Sequence, residues 1–379
     1  MTLRRKGRYG LTRTMGALIL SAALASQAAY ASTYMPACYK PAPNNPAILK
    51  YPAKKGPYRI ALVNGYTGIP WREQMIKSVR VWAAQPEIAA QIKELKIVST
   101  GSDVASQNAA IDNYNDAGFD AVFFDAVNPS AFGGVIRHAE KIGTILVSFD
   151  NPVDSPKIMR ITPNWIDFEM IKTEAVVRDM ARIQGTTQPK GTILEVRGPQ
   201  GNSTDRDRHI GVENVLEAYP GIKAIEVVGN WDTGTVQKVT SDALAVYGKF
   251  DGIVCQYGCQ GVINALNAAG VSGVPIGGDG TNGFIKGAVA GHFPGISVVT
   301  SPGQGPVALR ATLALLEGKE LPELANLPSP HKDLRDMKSG VDYFPDMPDT
   351  FAPITGYAAC GSDMVFTPDQ LNAAGAANN

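Results

Sequence analysis

Charge is scarce in this chain. Only 18% of its 379 residues are Asp, Glu, Lys or Arg, against about a quarter in an average soluble protein. The 35 basic residues balance 35 acidic ones, which argues against a nucleic-acid binder with its basic face. Long apolar runs are missing too. The most extended one, residues 15–25, falls well short of the roughly 20 residues that a spanning helix needs. Glycine and proline (39 and 26) follow no period, so collagen and low-complexity arrays are excluded. What is present is an ordinary globular composition, 44% hydrophobic and 8% aromatic, in a chain long enough to expect more than one core.

Common catalytic signatures are also lacking. The segment from Gly198 to Thr204 follows a strand pattern and opens a helix, but it has neither the dinucleotide fingerprint nor the P-loop lysine. Neither Gly-x-Ser-x-Gly nor His-Glu-x-x-His occurs. Ser203, Asp207 and His209 offer a hydrolytic trio, yet neighbours along one helix seldom reach triad geometry.

Residues 1–31 hold Arg4, Arg5, Lys6, Arg8 and Arg13 and no acidic residue. An apolar run and an Ala29-Tyr30-Ala31 ending follow, the three parts of a secretory signal peptide cleaved after Ala31. Removing five basic residues leaves 30 against 35 acidic, a net charge of −5 for the mature chain. Export to an oxidising compartment gives the four cysteines the role of disulfides. Three pairings are open. Cys255–Cys259 and Cys38–Cys360 are favoured, the first pinning a short loop and the second tying the chain ends, the more stabilising by loop-closure entropy. A zinc site is disfavoured because none of the four histidines lies near a cysteine pair.

Residues 32–57 read as an extended N-terminal leader. From Tyr58 short apolar strands alternate with helical spacing as far as strand 144–149, and the alternation restarts with a helix near 165–184. It runs on to a last helix at 305–317, with a break at 151–162. This predicts parallel βαβ units with right-handed crossovers, an α/β chain of doubly wound sheets. Ligands collect at the carboxyl ends of such strands. Those ends carry Asn64-Gly65-Tyr66, Asp125, Asp150-Asn151, Trp231-Asp232, Tyr257-Gly258 and Gly277-Gly278-Asp279-Gly280. Carboxylates and amides bond vicinal hydroxyls, and an indole offers an apolar face to the C–H side of a sugar ring.

These features, with Ile60-Ala61-Leu62-Val63 before Pro70-Trp71, Val147-Ser148-Phe149-Asp150, Asp205-Arg206-Asp207-Arg208 and Gly278-Asp279-Gly280-Thr281, resemble the periplasmic sugar-binding proteins of ABC importers. The resemblance is to the ribose-, allose- and galactose-binding group and runs over about residues 58–320. It implies the type I periplasmic-binding fold, two doubly wound parallel-sheet lobes joined by a three-crossing hinge. Lobe 1 would be 58–162 plus 301–326, and lobe 2 would be 163–300 plus 327–379, the latter with a C-terminal tail. The implied ligand set is Trp71, Arg72, Asp150, Asn151, Arg208, Trp231, Tyr257, Asp279 and Thr300. Asn151 stands where ribose binders carry arginine, which removes a fixed two-pronged donor. Tyr257-Gly258 and Thr300 replace the group's asparagine and glutamine. A pentose, a modified hexose or a linear sugar alcohol fits equally. The resemblance implies a periplasmic monomer without cofactor or metal that delivers a monosaccharide or polyol to an ABC permease in the inner membrane. A receptor feeding chemotaxis or a sensor kinase is the alternative.

Overall fold

A computed structural model describes residues 36–375. The expected signal peptide lies outside the described residues. The chain opens with β1 (Lys40–Pro41) and β2 (Ile48–Leu49). The first alternation then follows: β3 (Tyr58–Asn64), α1 (Pro70–Ala83), α2 (Pro86–Ala89), β4 (Ile92–Ser99), α3 (Val104–Asp116), β5 (Ala121–Phe124), α4 (Gly133–Ile142), β6 (Ile145–Phe149) and β7 (Met159–Pro163). The second comprises α5 (Trp165–Gln184), β8 (Gly191–Arg197), α6 (Ser203–Leu216), β9 (Ile222–Val228), α7 (Thr233–Tyr247), β10 (Gly252–Cys255), α8 (Gln260–Ala268), β11 (Ile276–Gly278), α9 (Asn282–Ala290) and β12 (Gly295–Val298). The chain ends with α10 (Gln304–Leu316), β13 (Leu321–Pro322), β14 (Leu324–Leu327), β15 (His331–Asp333) and α11 (Pro368–Ala373).

Two large sheets result, ordered β1-β14-β7-β6-β5-β3-β4 and β15-β12-β11-β10-β8-β9. Pairing is parallel throughout except at the outer strands β1 and β15. The chain passes between the sheets three times: from β7 into α5, from β12 into α10, and from β14 into β15. Successive side chains of a strand face opposite sides. Ile60 and Leu62 therefore enter a core with Met75, Val79 and Leu309, from α1 and α10, while Ala61 and Val63 enter another with Ile111 and Ile136, from α3 and α4. Strands covered on both faces are apolar at every position, and β5 is buried at all four residues.

Two departures from the expected organisation stand out. The break at 151–162 contains a strand, β7, parallel to β6 with no helix between them. Arg160 interrupts its apolar pattern because it pairs with Glu323 at 2.6 Å. The tail is the second departure. Residues 327–379 were expected with lobe 2, and β15 does join the second sheet. Phe351, Tyr357, Met364, Phe366 and Leu371, however, bury themselves in the first lobe's core beside Trp71, Met75 and Trp82. The Trp82 indole donates to Asp363 at 2.9 Å, and a disulfide joins Cys360 to Cys38. Hydrophobic burial decides the placement of this segment.

Candidate functional site

Strand-to-helix loops place the candidate residues, and their backbones are unusual. Tyr66, Asp150, Asn230 and Trp231 all have positive φ, between 54° and 58°, a conformation that non-glycine residues seldom adopt and that concentrates at ligand clamps. At Asp150 the reversed backbone turns the carbonyl toward the second lobe. It accepts from Thr162 Oγ1 at 2.9 Å, from Trp165 Nε1 at 3.0 Å and from Thr204 Oγ1 at 3.4 Å. The Asp150 carboxylate stays in the first lobe, taking Arg72 Nη2 at 2.6 Å and Gln304 Nε2 at 3.0 Å.

Arg72 enters at the start of α1, which Pro70 opens at a position where a missing N–H costs nothing. Its second prong lies 3.4 Å from Asp125. Asp125 is wholly buried, and burial pushes its carboxyl up to about 7 against the pull of Arg72. On the facing lobe Arg208 donates to Glu169 at 2.8 Å and to the Gln256 carbonyl at 2.5 Å. Its guanidinium lies over the Phe168 and Trp165 rings, 4.8 and 5.3 Å from their centroids. Behind it Lys172, with no exposed surface, donates to the Cys255 carbonyl at 2.8 Å. Burial, with Arg208 nearby, holds its ammonium down at about 7.

Eight of the nine sequence-derived candidates (Trp71, Arg72, Asp150, Asn151, Arg208, Trp231, Tyr257 and Thr300) line one cavity with about 390 Å³ of atom-free space. Asp279 lines a smaller one against Trp71, Arg208, Tyr257 and Thr300. Its carboxylate organises the loop as well. Oδ1 accepts from the Thr281 backbone and hydroxyl at 2.8 and 2.7 Å, and Oδ2 from the Cys259 backbone at 2.9 Å. Asp232 caps α7 through Thr235. Trp71 crosses between lobes, its indole donating to the Thr300 carbonyl at 2.9 Å. The Thr204 hydroxyl donates to Asn151 at 2.7 Å, and Asn202 donates to the Tyr66 hydroxyl at 2.6 Å. These bonds hold the two lobes against each other around the cavity.

The fifth residue of the Cys255–Cys259 ring, Cys259, joins the first by a disulfide, and the ring presents Tyr257 to the cavity. Gln256 inside it went unnoticed in the sequence. Its Oε1 accepts from Trp231 Nε1 at 3.1 Å and from the Gly198 backbone at 3.0 Å, while Nε2 donates to Asp205 at 3.0 Å. Gln304, Trp165 and Thr204 went unnoticed as well; each contacts Asp150 from more than ten residues away in sequence. The trio Ser203, Asp207 and His209 is not assembled. Ser203 donates to the Pro152 carbonyl, Asp207 takes Arg206, and His209 faces Glu195.

The buried ions nearly balance. Arg72, Arg208 and Lys172 each meet a carboxylate at 3.4 Å or less, and two buried donors, Asn151 Nδ2 and Arg72 Nη1, have no hydrogen-bond partner. A balanced, aromatic-walled cavity with spare donors suits an uncharged molecule rich in oxygen acceptors.

Two α/β lobes joined by three crossings and closed on such a cavity define a hinged binding protein of the type I periplasmic-binding fold. The chain belongs to the periplasmic binding protein domain family, whose pattern it matches over residues 60–320. That family consists of binding proteins rather than enzymes. The chain is 26% identical over 234 residues to the xylitol-binding protein of Mycolicibacterium smegmatis, covering 60% of this chain and 65% of that protein. The match therefore spans a little under two thirds of that relative. A putative rhizopine-binding protein of Rhizobium meliloti is also 26% identical, over 62% of this chain and 78% of its own length. Among solved structures, an ABC transporter solute-binding protein from Thermobispora bispora superposes with a TM-score of 0.65 at 26% identity, covering 72% of this chain and 84% of that one.

Proposed function

We propose that this protein is an exported solute-binding protein that captures a monosaccharide or sugar alcohol between its lobes and hands it to an ABC import permease, with no bond broken. The observation that carries the reading is the cavity itself, where indole and phenol walls surround paired charges and unpaired donors. The xylitol-binding relative supports a polyol as ligand. Trp71, Arg72, Asp150, Asn151, Arg208, Trp231, Tyr257, Asp279 and Thr300 would form the site. Contacts from both lobes are completed only on closure, so ligand selects the closed form. The basic start and Ala-x-Ala ending of residues 1–31 support export, and two disulfides suit the periplasm. A monomer is the state of the protein in this reading.

Thermal-shift screening of the mature chain against pentoses, hexoses and sugar alcohols tests it, since binding to the native state alone raises Tm. At least one such compound is expected to stabilise the protein. Trp71→Ala should weaken that compound's binding about 30-fold, in line with the 2 kcal/mol or more of a buried tryptophan anchor. Turnover of esters or glycosides without any sugar or polyol shift would sink the reading.

A further inference from the structure

The C-terminal tail does more than pack on the first lobe. Before reaching it, the tail is fastened to the second. The Asn282 side chain, at the start of α9, donates to the carbonyls of Phe344, Met347 and Pro348 at 2.8, 2.9 and 3.2 Å. The backbone N–H groups of Asn282 and Gly283 donate to the Phe351 and Asp349 carbonyls, both at 2.8 Å. One residue later Ala352 exchanges two hydrogen bonds with the Gln74 side chain on α1, at 3.0 and 2.9 Å. Residues 344–352 thus form a strap between the lobes, additional to the three crossings.

Asp349 and Thr350 of this strap wall a second chamber beside the inner cavity. It holds about 1300 Å³ of atom-free space, and Ile69, Trp231 and Tyr257 line both chambers. The inner cavity is the smaller of the two. Trp231, which both chambers share, and its neighbour Asn230, which lines the outer one, have positive φ, and strain of this kind persists where the surroundings fix it. Amides and hydroxyls dominate the polar lining of the outer chamber, among them Asn230, Gln260 and Thr233, and no lysine or arginine lines it. The strap, bonded to both lobes, thus lines one side of this part of the cleft.

We propose that the outer chamber is a second ligand subsite, so that the ligand has two parts. A sugar or polyol unit fills the inner cavity, and a glycosidically linked, uncharged hydroxylated ring occupies the strap-walled chamber. The inference rests on the sugar or polyol reading above and extends it. Titration calorimetry on the full mature chain with matched probes tests it: D-xylose and xylobiose, D-glucose and cellobiose, D-galactose and lactose, myo-inositol and galactinol, D-glucitol and maltitol. At least one two-unit probe should bind tenfold or more tighter than its one-unit partner. Filling the chamber by Thr350→Trp, at an exposed position, should bring that ratio back toward one. One-unit probes that bind as tightly as their two-unit partners, or a ratio untouched by Thr350→Trp, would overturn the subsite and leave the inner site standing. Failure of every probe to bind a folded protein would instead overturn the sugar or polyol reading beneath it.

Discussion

Replacing Arg72 by methionine is expected to destabilise the protein by about 3–5 kcal/mol at pH 8, the usual cost of leaving a buried charge without its partner. Two carboxylates depend on this guanidinium, Asp150 at 2.6 Å and Asp125 at 3.4 Å, and all three side chains are at most 8% exposed. Methionine keeps most of the length and the apolar stem but leaves both acids facing each other. The loss should depend on pH, and its sign follows from Asp125. Its folded-state carboxyl already titrates at about 7, chiefly because burial raises it while Arg72 lowers it. In the unfolded chain an aspartate titrates near 3.9. Between those values the native state holds the extra proton, so stability falls as pH rises. Without Arg72 the folded value climbs further and the window of lost stability extends upward. Urea unfolding at pH 5 and pH 8 should therefore show a larger gap from the unsubstituted protein at pH 8. Adding Asp125→Asn should recover part of it, since the two sites interact directly. Equal losses at both pH values would mean that packing of the arginine stem, not its charge, matters at this position.

The same cluster shows what a linear chain makes legible. Strands such as β3 and β5 could be read directly because burial on both faces forces an unbroken apolar run. Helices such as α5 announced themselves through apolar spacing, and the structure adds a polar cap, the Asn164 side chain accepting from the Asp167 backbone. Strand β7 could not be read, because its second residue, Arg160, is matched by Glu323 far along the chain. The tail's return to the first lobe was hidden for a similar reason. Its apolar residues are isolated among Pro and Asp, and only the groove beside α1 gives them a common face. At the site, Asp150 sat at a strand-end loop that marks a binding edge, whereas Trp71 and Arg208 were implied by the family resemblance. Gln304 had no local mark; it lies 154 residues from the Asp150 carboxylate to which it donates. Lys172 and Glu169 were three residues apart on a helix, a spacing that ordinarily signals a solvated ion pair. Here it lies at zero exposure behind Arg208. Long-range polar partnerships leave no periodic trace, and the supporting shell of the site is made of them.

The two disulfides should contribute very unequally, and removing each as a Cys→Ser pair separates two accounts of what they do. Cys38 and Cys360 are 322 residues apart, whereas Cys255 and Cys259 are four apart. If a bridge acts by restricting the unfolded chain, its contribution grows with the logarithm of the loop it closes, giving about 6 kcal/mol for the long loop and about 2 kcal/mol for the short one. The long bridge also reinforces native contacts. Cys38 lies two residues before β1, an edge strand of the first sheet, and Arg310 donates to the Cys360 carbonyl and to Asp363. Urea unfolding of Cys38→Ser/Cys360→Ser should thus show the larger loss in stability, and the strap at 344–352 should loosen with it, visible as faster hydrogen exchange there. Cys255→Ser/Cys259→Ser should show the smaller loss in stability but the larger loss in ligand affinity. Its five residues hold Tyr257 in the cavity wall, Gln256 against Trp231 and Arg208, and the Cys259 N–H against Asp279. A reversed order of stabilities would show that native-state packing of the short ring, rather than chain entropy, governs its worth. An unchanged affinity would show that the hydrogen bonds alone hold the loop. The expected outcome divides the labour, with one bridge holding the ends of a two-lobed chain together and the other holding the wall on which its ligand rests.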